Sequence, residues 1–237
     1  MDDSTLLDVL YRSRVTLLKM LEARGYDTKP FSRFGLEEIK MMRARGQSEG
    51  LALRMDLTKP EPKAGEPKNC VVLYTPQSKK LKQGEQMKTF INERAFGVGK
   101  GELVVPESLR IQDKDKESTE IIVILSDEVV SDPFHIFALK MWRTMKLRIR
   151  FFQAATIVND PAGYAIVPKH RKISKEESEK ILHDLYLKEN ETKQLPIIRF
   201  HEDMQARWLG LVENDIVEIT RPSPSAGEYI VYRVCLP

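Results

Sequence analysis

The sequence is poor in cysteine and has no apolar run long enough to cross a membrane. Cys70 and Cys235 are its only cysteines, too few for a disulfide framework or a paired zinc site, which fits a reducing compartment. The longest aliphatic run covers residues 121–125, whereas a spanning helix needs roughly 20 apolar residues. The amino terminus is acidic and lacks the basic and apolar regions of a secretory signal. We therefore expect an intracellular protein without a membrane contact.

Charge of neither sign dominates the 237 residues. The net charge is +3, and 41% of the residues are hydrophobic, the composition of a globular protein with a core. The charge is unevenly spread, since residues 1–159 sum to +5 and residues 160–237 to −2. This asymmetry favours two domains with different partners.

The first part alternates helical and strand patterns. Helices are predicted from Ser4 to a stop at Gly25 and over residues 36–45, 86–96 and from Asp132-Pro133 onward, because their apolar residues recur at three- and four-residue steps. Strands are predicted over 51–57, 71–74, 121–125 and 147–151. Because strands joined through helices pair in parallel, the fold class expected for residues 1–158 is a layered α/β domain.

A dense turn signal at residues 159–163 separates a second part. Ser174 and Glu177 have the spacing of a capping box before a helix to about residue 187. A strand is predicted at 197–198, a short helix through Trp208 closed by Gly210, a strand at 216–219, a turn over 221–227 and a strand at 229–234. Residues 164–237 are thus expected to form a small α+β domain.

Motifs of catalysis are weak in this chain. The G-x-S-x-G match at 46–50 has its helix and strand in reversed order, and the glycines at 97–101 lack the spacing of a phosphate loop. No two histidines have ligand spacing. Glu38 and Lys40 resemble the end of a nuclease metal site, so a magnesium-dependent nuclease is kept as an alternative. We predict no enzyme activity, no cofactor and no metal.

Basic residues cluster at two places, around residues 79–82 and 143–150. Such groups either neutralise phosphates or form an ordinary solvated face. The members of the two clusters are Lys79, Lys80 and Lys82, and Arg143, Lys146, Arg148 and Arg150.

A set of motifs in the last 70 residues carries the most specific signal. In order, the motifs are Val167-Pro168-Lys169-His170, Leu195-Pro196-Ile197-Ile198, Ala206-Arg207-Trp208-Leu209-Gly210-Leu211, Asp215-Ile216-Val217-Glu218-Ile219, Arg221-Pro222-Ser223, Ala226-Gly227, Tyr229 and Tyr232-Arg233. Their order and spacing resemble those of the fifth subunit shared by eukaryotic DNA-directed RNA polymerases, whose carboxyl-terminal domain corresponds to a small subunit of the archaeal polymerase. The chain departs from that family at Asp203-Met204 and at Gly227-Glu228-Tyr229, which leaves a divergent or polymerase-specific paralogue open.

The resemblance implies a non-catalytic polymerase subunit in the nucleus, or in the nucleolus if it serves polymerase I alone. Residues 1–158 would form a jaw beside downstream duplex DNA, with weak contacts, and residues 164–237 an assembly domain on the largest subunit, next to other subunits. No homo-oligomer is expected, and a free interaction adaptor that keeps the assembly fold is a further alternative. For Trp208, Leu209 and Leu211, core and interface both stay open.

The residues expected at the partner interface share motif positions or the aromatic and arginine types enriched in interfaces. They are Val167, Pro168, Lys169, His170, Leu195, Pro196, Arg207, Trp208, Gly210, Arg221, Ser223, Gly227, Tyr229, Tyr232 and Arg233. The residues expected near DNA are Ser131, Asp132, Pro133, Arg148 and Arg150.

Overall fold

The computed structural model describes residues 3–44, 51, 53–63, 65–75, 81, 83–99, 105–126, 128–225 and 227–237. The chain divides into two compact units, Met1–Asn159 and Asp160–Pro237, and each contains one four-stranded sheet. The cluster at Lys79, Lys80 and Lys82 and the motif at 46–50 lie outside the described residues. Among the helices that the structure does describe, none combines the length and the apolarity needed to cross a bilayer.

The amino-terminal unit is built on a mixed sheet of four strands in sequential order. The strands are β1 (Met55–Thr58), β2 (Asn69–Tyr74), β3 (Thr119–Leu125) and β4 (Arg148–Gln153). β1 is antiparallel to β2, whereas β2, β3 and β4 are parallel. The parallel pairs are those whose connections contain helices, which confirms a mixed α/β fold here. The strand expected over 51–57 begins only at Met55, because the amide of Arg54 donates to the carbonyl of Leu51 in a turn.

Four helices accompany this sheet: α1 (Asp3–Ala23), α2 (Leu36–Ala44), α3 (Gly84–Ile91) and α4 (Asp132–Met145). α1 buries the predicted stripe that includes Leu10, Leu17 and Leu21. α3 continues as a π turn to Phe96, and the left-handed Gly97 ends it. The side chain of Arg110 fills the place where a Cβ at position 97 would lie, and φ 67° also favours glycine there. Residues 100 and 101 of the glycine motif lie outside the described residues.

A buried ion triad lies in the middle of this unit. Glu120 on β3 is fully buried, and its carboxylate accepts bonds from Arg24 Nη2 and Arg150 Nε, both at 2.5 Å. Burial alone would raise the pKa of Glu120, but the two guanidinium groups outweigh it and lower the pKa from 4.5 to about 2. Burial and the charge of Glu120 raise the pKa of the neighbouring Tyr26 hydroxyl. The carboxylate therefore stays charged inside the unit.

We expect Glu120→Gln to destabilise the protein by about 3 kcal/mol at pH 6, because it leaves two buried cations without their anion. The contribution of Glu120 is fully present above its unfolded pKa of 4.5 and is lost as the pH falls toward about 2, since its folded pKa is depressed. Urea unfolding of the full chain should thus show that the difference in unfolding free energy between wild type and variant narrows from pH 6 to pH 3. The exposed Glu117→Gln is the control. A gap that stays constant with pH would contradict this role.

The carboxyl-terminal unit has the sheet order β5-β7-β8-β6. Its strands are β5 (Lys169–Lys172), β6 (Ile197–Arg199), β7 (Ile216–Ser223) and β8 (Gly227–Leu236), and its helices are α5 (Lys175–Asp184) and α6 (Met204–Leu209). β7 is antiparallel to β5 and to β8, and β6 is parallel to β8. The prediction of a turn over residues 221–227 is wrong for its first three residues. Arg221 to Ser223 continue β7 and pair with Tyr229 to Gly227 on β8. β5 was not predicted, since its residues carry no apolar alternation.

Local signals set the helices of this unit as predicted. Ser174 Oγ accepts the amide of Glu177 while the Glu177 carboxylate accepts the amide of Ser174, a complete capping box for α5. Asp203 caps α6, and Gly210 ends it at φ 70°. A core cluster forms between α5 and the sheet, with members Ile173, Leu182, Leu195, Ile216 and Val234.

Candidate protein-interaction surface

The first half of β8 is the most exposed strand segment of the carboxyl-terminal unit. Tyr229 is 44% exposed and Ile230 is 54% exposed, whereas Val234 and Cys235 near the other end are fully buried. Side chains of successive strand residues point to opposite faces, so apolar groups stand in solvent on both faces of this segment. We therefore treat this segment as the candidate interaction surface of the unit.

The hairpin of β7 and β8 holds this surface in place. The two strands form eight residue pairs from Ile216 with Val234 to Ser223 with Gly227. Gly227 has φ 74°, a conformation that favours glycine, and it begins the return strand. Tyr232 points toward the core cluster, and burial raises the pKa of its hydroxyl. The exposed segment thus extends from a packed base.

The predicted interface residues separate into a surface set and a buried set. At least partly exposed are Val167, Pro168, Lys169, His170, Pro196, Arg221, Ser223, Gly227, Tyr229, Tyr232 and Arg233. They occur on β5 and just before it, on the residue before β6, and on the β7–β8 hairpin. Arg233 Nη1 donates to the carbonyl of Ile197 at 3.1 Å, which fixes its guanidinium beside β6. Their contact with a partner stays a prediction.

Four predicted interface residues are buried within the unit, namely Leu195, Arg207, Trp208 and Gly210, and their contact with a partner stays a prediction. Leu195 belongs to the core cluster, and Trp208 is only 7% exposed. Gly210 provides the left-handed end of α6. A small unit has few apolar groups, so these residues complete its packing instead of meeting solvent.

The residues expected near DNA lie at opposite ends of the amino-terminal sheet. Arg148 pairs with Glu120 at the amino ends of two parallel strands, and Gln153 pairs with Leu125 at their carboxyl ends. Ser131, which precedes α4, follows β3 beyond that carboxyl end and is exposed together with Asp132 and Pro133. At about 3.3 Å per residue, the five steps along the strand separate the two ends by about 16 Å. Arg148 and residues 131–133 therefore cannot lie side by side in a single contact with DNA.

The burial of Arg150 corrects its expected position on a DNA-facing or solvated surface. Arg150 is 1% exposed because its guanidinium binds Glu120. Arg148 is half-buried; it donates to the carbonyls of Glu117 and Gly65 and lies 5.2 Å from the centre of the Trp142 ring. Alternation on β4 therefore places arginines in buried contacts, which a count of basic residues cannot reveal.

The candidate nuclease residues have a local structural role. The Glu38 carboxylate accepts the amide of Gly35 at 3.0 Å, at the start of α2. Within the described ranges, no three His, Cys, Asp or Glu side chains converge as a metal site would require. Nothing in this geometry assembles Glu38 and Lys40 for hydrolysis.

Sequence reasoning missed Ile197 and Ile230 as exposed apolar residues. Ile197 lies on the edge strand β6 and is 47% exposed. The signal that could have found Ile230 is the run of residues 228–232, in which apolar residues occupy both faces of one strand. A strand with apolar side chains on both faces needs packing partners on both faces, and the small unit cannot provide them.

Comparisons with known proteins relate the chain to subunits of RNA polymerases. A family model described as RNA polymerase Rpb5, C-terminal domain, matches residues 160–235. The DNA-directed RNA polymerases I, II, and III subunit rpabc1 of Dictyostelium discoideum is 32% identical over 124 residues, which cover 52% of this chain and 60% of that subunit. The chain therefore matches less than two thirds of the length of that relative.

Two archaeal proteins match a shorter stretch of the chain with higher identity. The DNA-directed RNA polymerase subunits Rpo5 of Sulfurisphaera tokodaii and Metallosphaera sedula are each 43% identical over 74 residues. That match covers 31% of this chain and 83% and 84% of the two subunits. A protein of two α/β units with an exposed apolar strand is thus related to polymerase subunits. The chain belongs to the Rpb5/Rpo5 family.

We expect Ile230→Ala to change the free energy of unfolding by less than about 0.5 kcal/mol, because the side chain is exposed. The matched variant Ile198→Ala removes a side chain that is 2% exposed and should cost about 2 kcal/mol or more. Denaturant unfolding followed by Trp208 fluorescence, in a Trp142→Phe background, measures both. Equal losses would show that Ile230 is a packing residue and not part of a surface.

Proposed function

We propose that the chain is a non-catalytic subunit of a nuclear DNA-directed RNA polymerase. Residues 160–237 anchor it to the largest subunit and contact neighbouring subunits, and residues 1–159 form part of the jaw beside the downstream duplex. Phosphodiester synthesis takes place on other chains. Family membership supports this function, whereas neither the nuclease nor the free adaptor finds support among the relatives.

The anchoring role is assigned from the length of the archaeal relatives. The 74 matched residues are more than four fifths of each archaeal subunit but less than one third of this chain. We take the matched region to be the carboxyl-terminal unit, because the family model for the Rpb5 C-terminal domain matches residues 160–235. We assign the anchor to the carboxyl-terminal unit for this reason.

The surface chemistry of that unit suits a stable partner. Tyrosine and arginine are enriched where proteins bury area against each other, and Tyr229, Arg221 and Arg233 lie on one face of the hairpin. The unit also carries a charge of −2 against +5 for residues 1–159. The more basic part is the one proposed to lie beside DNA, where phosphate attraction is weak and not sequence-specific.

We expect tagged wild-type chain to recover the largest polymerase subunit from the cells that express it. Tyr229→Ala should lower that recovery about tenfold or more, because truncation of an aromatic anchor costs about 2 kcal/mol. Met41→Ala on α2 is the control, since Met41 is 53% exposed but lies in the other unit. Quantitative mass spectrometry of the captured proteins provides the measurement. Recovery of the wild-type chain without any polymerase subunit would refute the proposed function.

The position of the jaw can be tested with cysteine probes, since both native cysteines are buried. We expect a photo-crosslinker on Ser131→Cys to label downstream duplex DNA in the assembled polymerase, because residues 131–133 lie beyond the carboxyl ends of the parallel strands. A probe on Glu117→Cys near the opposite ends should label at least tenfold less. Preferential labelling from position 117 would reverse the proposed orientation of the jaw.

A further inference from the structure

β8 has one fully paired side and one side that is paired only at its end. β7 accompanies it from Gly227 to Val234 on the first side. On the second side, β6 pairs with Val234, Cys235 and Leu236 alone. In the described part of the chain, no strand is in register with residues 227–233 on that second side. About seven residues of β8 therefore form an open sheet edge.

The hydrogen bonds around β8 show which backbone groups face this edge. The amide of Cys235 donates to Asp215 on the β7 side at 2.8 Å, and the amide of Val234 donates to Pro196 on the β6 side at 2.9 Å. Backbone groups alternate in direction along an antiparallel strand. The amides and carbonyls of Glu228, Ile230 and Tyr232 consequently point to the open edge.

The other edges of this sheet carry features that discourage pairing. β7 has Pro222 near its tip, where proline removes a donor, and β6 is only three residues long and follows Pro196. β5 consists of Lys169, His170, Arg171 and Lys172, four basic residues. The open edge of β8 has no proline and no lysine, and it displays the exposed Tyr229 and Ile230. Among the described strands of this sheet, this edge alone is suited to accept another strand.

We propose that an extended segment of the largest polymerase subunit adds as a strand to β8 along residues 227–233, in line with β6; this inference rests on the proposed function. Its main chain pairs with Glu228, Ile230 and Tyr232. Seven strand residues extend for about 20 Å, the length of an ordinary strand. Because Tyr229 and Ile230 lie on opposite faces, we expect apolar residues at adjacent positions of the added strand.

Hydrogen exchange at single-residue resolution tests the pairing directly on the full chain, free and within the purified polymerase. The amides of Glu228, Ile230 and Tyr232 should exchange at least 100-fold more slowly in the complex. The amides of Val231 and Arg233 point to β7 and are the internal control, since they should be protected in both states. A complex in which the three outward amides stay unprotected would overturn strand addition and leave the proposed function intact.

A proline substitution separates backbone pairing from side-chain contact. Ile230→Pro removes an outward amide but no bond to β7, and Ile230→Ala keeps the amide and loses side-chain atoms. We expect the proline variant to reduce recovery of the largest subunit at least tenfold more than the alanine variant. Unfolding measurements test whether the proline variant folds. If it does not fold, the hydrogen-exchange experiment tests the strand addition instead.

Two further outcomes would overturn the inference. Equal recovery of folded proline and alanine variants would show that the outward amide of Ile230 pairs with nothing. Protection of the three amides in the isolated wild-type chain, with dimers in sedimentation, would show that a second copy occupies the edge. Absence of any complex with the wild-type chain would refute the proposed function itself, together with this mode of docking.

Discussion

The antiparallel ladder between β7 and β8 is the contact on which the carboxyl-terminal unit depends. It joins the longest strands of the unit, and both remaining strands attach to it, β5 to β7 and β6 to β8. One end of the ladder is packed in the core cluster through Ile216 and Val234. The other end extends beyond the strands that flank it, so the same ladder that stabilises the fold also presents its unpaired backbone to solvent. Stability and the proposed docking therefore depend on one element.

The amino-terminal unit has a different constraint, because it buries charged side chains inside a sheet with parallel strands. Glu120 and Arg150 lie on adjacent strands, two positions apart in the register, and form an ion pair, and Arg24 provides the second cation. Each charge is costly to bury alone, so the triad is stable only when all three partners are present. The parallel direction of β3 and β4 also separates the loop that follows β3 from the basic residues that precede β4. The proposed orientation of the jaw relies on this separation.

Two archaeal family members are matched over 83% and 84% of their length by 74 residues of this chain. A small domain has little core to spare, which explains why Trp208, Arg207 and Leu195 are buried and cannot also form a broad interface. The features that remain for recognition of a partner are the backbone edge of β8 and the aromatic and arginine side chains beside it. Main-chain pairing gives affinity at an edge, and flanking side chains give specificity.

Sequence by itself determined the features that depend on neighbours along the chain: the helices with their caps at Ser174 and Gly210, the aliphatic strands, the two-part organisation of charge and the ordered motifs that identify the family. It could not assign β5, whose four basic residues resemble a solvated loop, nor the continuation of β7 through Arg221–Ser223, whose proline and serine resemble a turn. Only the tertiary structure decided that Arg150 is buried against Glu120 and that Ile230 is exposed. Burial, ion pairing and the open edge of β8 depend on which strands become neighbours, and that pairing joins residues far apart in sequence.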